Sequence, residues 1–371
     1  MVRLCALAVS ALAIVGSASA KSGTDLYVGT VGGKPVVLDL AEDAIRDGPG
    51  FYFRSTPNDP AQVETRRRGR QLEIRVFDYY GGYRLASVLR LVRSGATLTG
   101  TYAPTDSASP APVRLHRATA ADLATIAVEA PVVERWRRSA PYTALKFDRP
   151  FARVRVARLA GRTVTWLREP RSGVRLPRLP GAGPVNDALT DEQLIRARRA
   201  LECPVPGGWR GMNGISLLTR RVLSLKGYVS AFCGGAHPFG FPISATFDIA
   251  RGRATVLEDL YRFAPVPAGI DPHRPPGYDA PGYDRWEAYL LRRGAVLHSL
   301  ARRASPGLDG TFCGSSMTPE QWAFASWHLN ARGLVLRGDF ARVADLCDVV
   351  EFTIPYGFAR PYRVATSPGP S

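Results

Sequence analysis

The stretch FCGGAHPFGF, residues 232–241, sets a cysteine, two glycines, a histidine and a proline in six consecutive positions between runs of β-type sequence. A histidine in such a loop can act as a general base if a nucleophile or substrate proton comes within reach and a carboxylate fixes its tautomer. Ser230, Asp248 and Asp259 are the conceivable partners of His237, and an envelope hydrolase is the enzyme reading that follows. The alternative is a shaped turn. Gly234 and Gly235 permit positive φ or close backbone approach, His237 ties the turn through hydrogen bonds, and Pro238 stops ladder pairing afterwards. The chain holds no G-x-S-x-G elbow, H-E-x-x-H, S-x-x-K or Walker sequence. The turn reading is therefore preferred and no catalytic residue is assigned. Gly234, Gly235, His237 and Asp248 stand as candidate binding positions. His116, His273, His298 and His328 show no ligand spacing, so neither a metal nor a cofactor is expected.

The first twenty residues read as a secretory signal: an early Arg3, an apolar run from Leu4 to Val15, then Ala18-Ser19-Ala20. That run is too short to span a bilayer, and no later segment has the length of a membrane span. A periplasmic or secreted protein without a transmembrane segment is expected. Four cysteines follow the signal, Cys203, Cys233, Cys313 and Cys347. An even number in an exported chain points to two disulfides. Three pairings are open, and closing the two short loops favours Cys203 with Cys233 and Cys313 with Cys347. The formal charge of +17 favours anionic surfaces. In the cell envelope these are lipid headgroups, lipopolysaccharide or wall polymers, not nucleic acid.

Those residues need a scaffold, and the sequence divides it in two. From Asp25 to Arg117 about eight short β-type runs are separated by turn residues, opening with the hairpin signal LYVGTVGGKPVVLDL. Such a meander must hide its edges, and residues 21–118 are expected to form a small all-β, barrel-like domain. Tyr27, Tyr52, Phe53, Tyr79, Tyr80, Tyr83 and Tyr102 are candidates to line a cup for an apolar ligand. Residues 119–129 read as a linker with a short helix. Residues 130–365 mix helix and strand signals, and 366–371 form a tail. YTALKFD, ARVRVARL and RTVTWLREP read as strands, and SGVRLPRLPGAGP as a surface loop. Thr190 with Gln193 has the form of a capping box. Trp286, Leu290, Leu297 and Ala301 recur at helical spacing, and Thr318, Pro319 and Gln321 open another helix. The class is α+β, an all-β meander followed by antiparallel sheet with a few helices.

Within the second region, Gly234-Gly235-Ala236-His237-Pro238 is followed by Phe247, Asp248, Gly252, Leu257, Asp259, Leu260 and Tyr261. This succession resembles the RsiV-like extracellular domain family, domain of unknown function 3298, across roughly residues 130–365. The closing WHLNARGLVL and FTIPY are similar to the family's last hairpin and strand. The resemblance implies an extracellular binding domain. In that family the best understood role is sensing lysozyme, and the same domain type accompanies peptidoglycan deacetylases whose motif this chain lacks. Lysozyme is disfavoured as a partner here because like charges oppose encounter. The expected function is an exported, non-catalytic binding protein for an anionic envelope polymer or another exported protein. The alternatives are a hydrolase using His237 and a lysozyme-binding or inhibitory protein.

Overall fold

The structure, a computed structural model, describes residues 25–40, 50–59, 62–78, 84–107, 109–203, 205, 207–234, 237–306, 318–338 and 350–367. Gly32 and Gly33 adopt φ of 56° and 79°, the left-handed pair that a two-residue hairpin favours. They fold β1 (Leu26–Val31) back on β2 (Lys34–Asp39). The sheet continues with β3 (Gly50–Phe53), β4 (Gln62–Arg68), β5 (Gln71–Asp78), β6 (Arg84–Ser94), β7 (Thr97–Pro104) and β8 (Ala111–Arg117). Its order is β3-β2-β1-β8-β7-β6-β5-β4, all antiparallel. Because β8 returns beside β1, β3 and β4 are the edges among the described residues, and the sheet is a near-barrel.

The alternation of QLEIRVFD sends Leu72, Ile74 and Val76 inward. All eight strands contribute buried side chains to one cluster, among them Tyr27, Leu38, Phe51, Val63, Ile74, Leu89, Leu98 and Leu115. The described aromatic side chains among the cup candidates are packed in this way. Tyr27 and Phe51 are core, Phe53 and Tyr102 pack against it, and Tyr52 belongs to a different cluster. Tyr79, Tyr80 and Tyr83 lie outside the described residues.

Beyond β8 comes α1 (Ala120–Leu123), where Asp122 N donates to Thr119 Oγ1 (3.3 Å) and Thr119 N to Asp122 Oδ2 (2.8 Å). The segment expected as a linker carries Ile126 and Val128, both buried. They pack with Leu26, Val28, Val37 and Tyr52 of the near-barrel and with Trp136, Phe147, Leu194 and Leu201 beyond it. Next are α2 (Pro131–Ser139) and α3 (Pro141–Ala144). The expected strand YTALKFD is therefore a helical turn. Pro141 is preset for a first helical position, and Tyr142, Ala144, Leu145 and Phe147 are all buried, which a two-residue period cannot arrange. Lys146, 1% exposed, meets Asp59 Oδ2 at 2.7 Å, and Tyr142 Oη donates to Asp59 Oδ1 at 2.8 Å. The rings of Tyr52 and Tyr142 lie 5.4 and 5.2 Å from the Lys146 ammonium.

A three-stranded sheet follows, β9 (Ala152–Leu159), β10 (Arg162–Arg168) and β11 (Arg175–Arg178), in the order β11-β10-β9. Strand β11 lies in the passage expected as a surface loop. As an edge strand it tolerates Pro177, and Leu176 at 0% exposure anchors it. The long helix α4 (Gly183–Glu202) starts seven residues before Thr190, with Pro184 in its first turn. Thr190 is no N-cap: its hydroxyl donates back to Asn186 O (2.8 Å), and buried Gln193 donates to Leu167 O and Val174 O instead.

The next sheet has β12 (Trp209–Leu218), β13 (Val222–Ala231), β15 (Ala245–Asp248) and β16 (Arg253–Thr255) side by side, with β14 (Phe239–Pro242) also paired to β13. The short α5 (Leu257–Leu260) leads to α6 (Tyr283–Ala304), whose Trp286, Leu290, Leu297 and Ala301 are buried as their spacing predicts. The helix α7 (Pro319–Ala323) has Thr318 as N-cap, whose N–H donates to Gln321 Oε1. A last sheet holds β17 (Ser326–Leu329), β18 (Gly333–Arg337) and β19 (Phe352–Pro355), before α8 (Tyr356–Ala359). One apolar cluster unites α5, α6, α7 and this sheet. The class is α+β. Among the described residues no helix is long and apolar enough to cross a membrane.

Candidate functional site

Strands β12 and β13 bring the CGGAHP stretch into place. Phe232 N bonds to Gly208 O (2.7 Å), and Cys233 closes a disulfide with Cys203 across Cα atoms 4.8 Å apart. Gly234 is buried with φ of 88°, a value that favours glycine. Gly235, Ala236, Cys313 and Cys347 lie outside the described residues. His237 is exposed and makes no hydrogen bond or ion pair with a described residue, so the expected tie across the turn is absent from the described contacts. The disulfide and the backbone bond hold the turn instead.

Asp248 sits far from it. It pairs with Val222 at the start of β13, whereas β14, just after His237, pairs with Ala231 at the end. Those ends are about 30 Å apart at ~3.3 Å per residue. The Asp248 carboxylate is buried and accepts from Ala250 N and Arg251 N (both 3.0 Å), so it closes the β15–β16 turn. The neighbouring Gly252 has φ of 62°, and a Cβ there would meet Pro184 at 2.2 Å. Asp259 accepts from Val256 N (3.3 Å) and faces His273 at 3.1 Å. Phe247, Leu257, Leu260 and Tyr261 are core. The signature residues thus shape a hairpin and a helix start, and they do not converge on a reacting atom. No three metal-ligating side chains converge among the described residues.

A different set of residues does converge. Beside the same disulfide-pinned turn, the first half of β12 faces the sheet of β9, β10 and β11 across a cleft of about 630 Å³. Trp166 and Trp209 supply indole surface, Arg155, Arg175 and Arg210 supply charge, and no carboxylate is among the described lining residues. Met212, 72% exposed, lies at its rim. Trp209 is held edge-on by Phe241 at 5.5 Å, and Phe241 stacks on Phe239 at 6.0 Å. Asn213 is fixed from both ends. Its Nδ2 donates to Arg175 O (3.3 Å), while its Oδ1 accepts from Arg196 Nη1 (2.6 Å). Buried Arg196 keeps Nη2 without a hydrogen-bond partner. The turn from β10 to β11 is closed by Glu169, 1% exposed, which accepts from Arg171 N (3.1 Å) and Ser172 N (2.5 Å).

Charge concentrates there. Residues 149–178 contain nine arginines and one acidic residue, Glu169, whose carboxylate is already engaged. Arg153, Arg155, Arg158 and Arg175 form no ion pair with a described residue. Planar guanidiniums beside indole faces suit carboxylate or phosphate groups carried on a chain or ring. The described lining residues include neither a histidine nor a carboxylate.

A second basic groove, about 500 Å³, crosses β4, β5 and β6 with Arg66, Arg68, Arg75 and Arg90. There Glu73 already holds Arg75 at 2.9 Å and Arg90 at 3.7 Å, and no aromatic side chain is among its described lining residues. The cleft residues escape sequence reading because four strands contribute them at no fixed spacing. The signal that could have found them is the arginine density of residues 149–178. No protein-family model and no curated protein matches the chain.

Proposed function

We propose that the protein is an exported, non-catalytic binding protein that takes an anionic partner of the cell envelope into the cleft between β12 and the β9–β11 sheet. The observation that carries this reading is the meeting of Arg155, Arg175 and Arg210 with Trp166 and Trp209 in a lining without an acid among its described residues. The separation of His237 from Asp248 by the length of β13 favours recognition over hydrolysis. The Cys203–Cys233 disulfide and the signal-like residues 1–20 support a periplasmic or secreted location.

An RsiV-like domain over residues 130–365 belongs to the same proposal. Its support is the signature residues Phe247, Asp248, Gly252, Asp259 and Leu260, which act together around one hairpin and helix start. The test is retention of the full chain on isolated cell-wall and outer-membrane material over a salt series. Retention that is strong at low ionic strength and lost as the Debye length shrinks is expected. No retention at low ionic strength contradicts the proposal.

A further inference from the structure

Strand β9 is paired on one side only, with β10, and its outer backbone edge has no partner among the described residues. Eight residues make it longer than an average strand. Both of its faces are open. Val154, Val156 and Leu159 are 40%, 55% and 41% exposed and lie among Arg153, Arg155 and Arg158; the register with β10 shifts at Val154, so arginines and apolar side chains share both faces of the strand. A long, open, partly apolar edge is a template for another strand.

Two readings of this edge compete. In the first, the arginines only repel association. In the second, they select what associates. Self-pairing is opposed, since an antiparallel register centred on Arg155 sets it against its own copy, and another sets Arg153 against Arg158. Repulsion alone leaves unexplained why three guanidiniums on one strand lack acidic partners while apolar side chains between them stay exposed. An extended segment that carries acidic and apolar residues on both of its faces would satisfy these side chains together with the backbone edge. Val154 and Arg155 also line the tryptophan cleft, so such a strand would run past its mouth.

We infer that the outer edge of β9 receives an extended acidic segment of a partner protein as an added strand, with carboxylates meeting Arg153, Arg155 and Arg158 and apolar side chains covering Val154 and Val156. This rests on the anionic-partner reading and specifies it: the partner is a polypeptide, recognised partly through its backbone.

The test uses the full chain and a labelled eight-residue peptide of repeated Val-Val-Glu-Glu, which sets both residue types on each face, followed by fluorescence anisotropy at low ionic strength. Two further peptides of equal charge carry N-methyl groups on every Glu or on every Val. Strand addition predicts that at least one of these binds at least tenfold more weakly than the parent, and that amides of residues 152–159 gain hydrogen-exchange protection on binding the parent. The R153E/R155E/R158E variant, changed only at exposed positions, should also lose at least tenfold. Equal binding of all three peptides overturns strand addition, as does failure of the parent peptide while polyglutamate still binds. Failure of both parent peptide and polyglutamate overturns the anionic-partner reading as well.

Discussion

Replacing His328 by glutamine should remove a large part of the protein's sensitivity to mild acid. His328 lies on β17, 2% exposed, with Nδ1 buried and unpartnered. Its burial, with Arg337 and Lys226 nearby, holds its pKa at about 4 against the opposing effect of Glu351. The unfolded chain titrates this side chain near its ordinary value of about 6.5. Between those values the unfolded state binds a proton that the folded state refuses. Stability therefore rises with pH across that window and falls as the solution is acidified. A separation of two to three units at 1.36 kcal/mol each gives a full effect of about 3 kcal/mol, of which about 2 is lost between pH 7 and pH 5. Urea unfolding at both pH values, for wild type and His328→Gln, isolates this group from the carboxylates that titrate alongside it. Wild type should lose about 2 kcal/mol more than the variant on acidification. Equal losses would refute the assignment of a neutral buried imidazole.

Three further predictions concern the scaffold. Asp59→Ala takes the carboxylate from buried Lys146 and should cost about 3 kcal/mol in urea unfolding, with partial recovery in Asp59→Ala/Lys146→Met; a cost below about 1 kcal/mol would contradict the burial argument. Ala160 holds φ of 49° in the β9–β10 turn ahead of Gly161, so Ala160→Asn should stabilise by about 1 kcal/mol, and a destabilised variant would show that the turn tolerates alanine without strain. Replacing both Cys203 and Cys233 by serine frees a loop spanning a separation of 30 residues and should lower stability by about 3 to 4 kcal/mol under non-reducing conditions.

What the sequence made legible follows local rules. The Gly32-Gly33 hairpin, the alternation of β5, the amphipathic spacing of α6 and the Thr318 start of α7 each depend on residues a few positions apart. The errors arose where distant contacts decided. Leu176 makes β11 a strand by burial beneath α4, despite two prolines close by. Thr190 and Gln193 look like a cap, yet Pro184 starts the helix earlier and Gln193 is used to bond the β10–β11 backbone. The residues between 119 and 129 looked like a connector because Ile126 and Val128 are isolated in sequence, whereas the near-barrel supplies their neighbours. The CGGAHP stretch lies beside the cleft, at the disulfide-pinned turn after β13. The convergent charges came from strands with no motif of their own, and only the sheet arrangement brought Arg155, Arg175 and Arg210 to one cleft.

The central claim is most directly tested by titrating labelled polyglutamate into the full-length protein at low ionic strength, comparing R155E/R175E/R210E with a control of equal charge change, R66E/R68E/R70E. Binding that is lost in the cleft variant and largely kept in the control is the predicted result. Equal losses in the two variants would mean that overall charge, and not the cleft, does the binding.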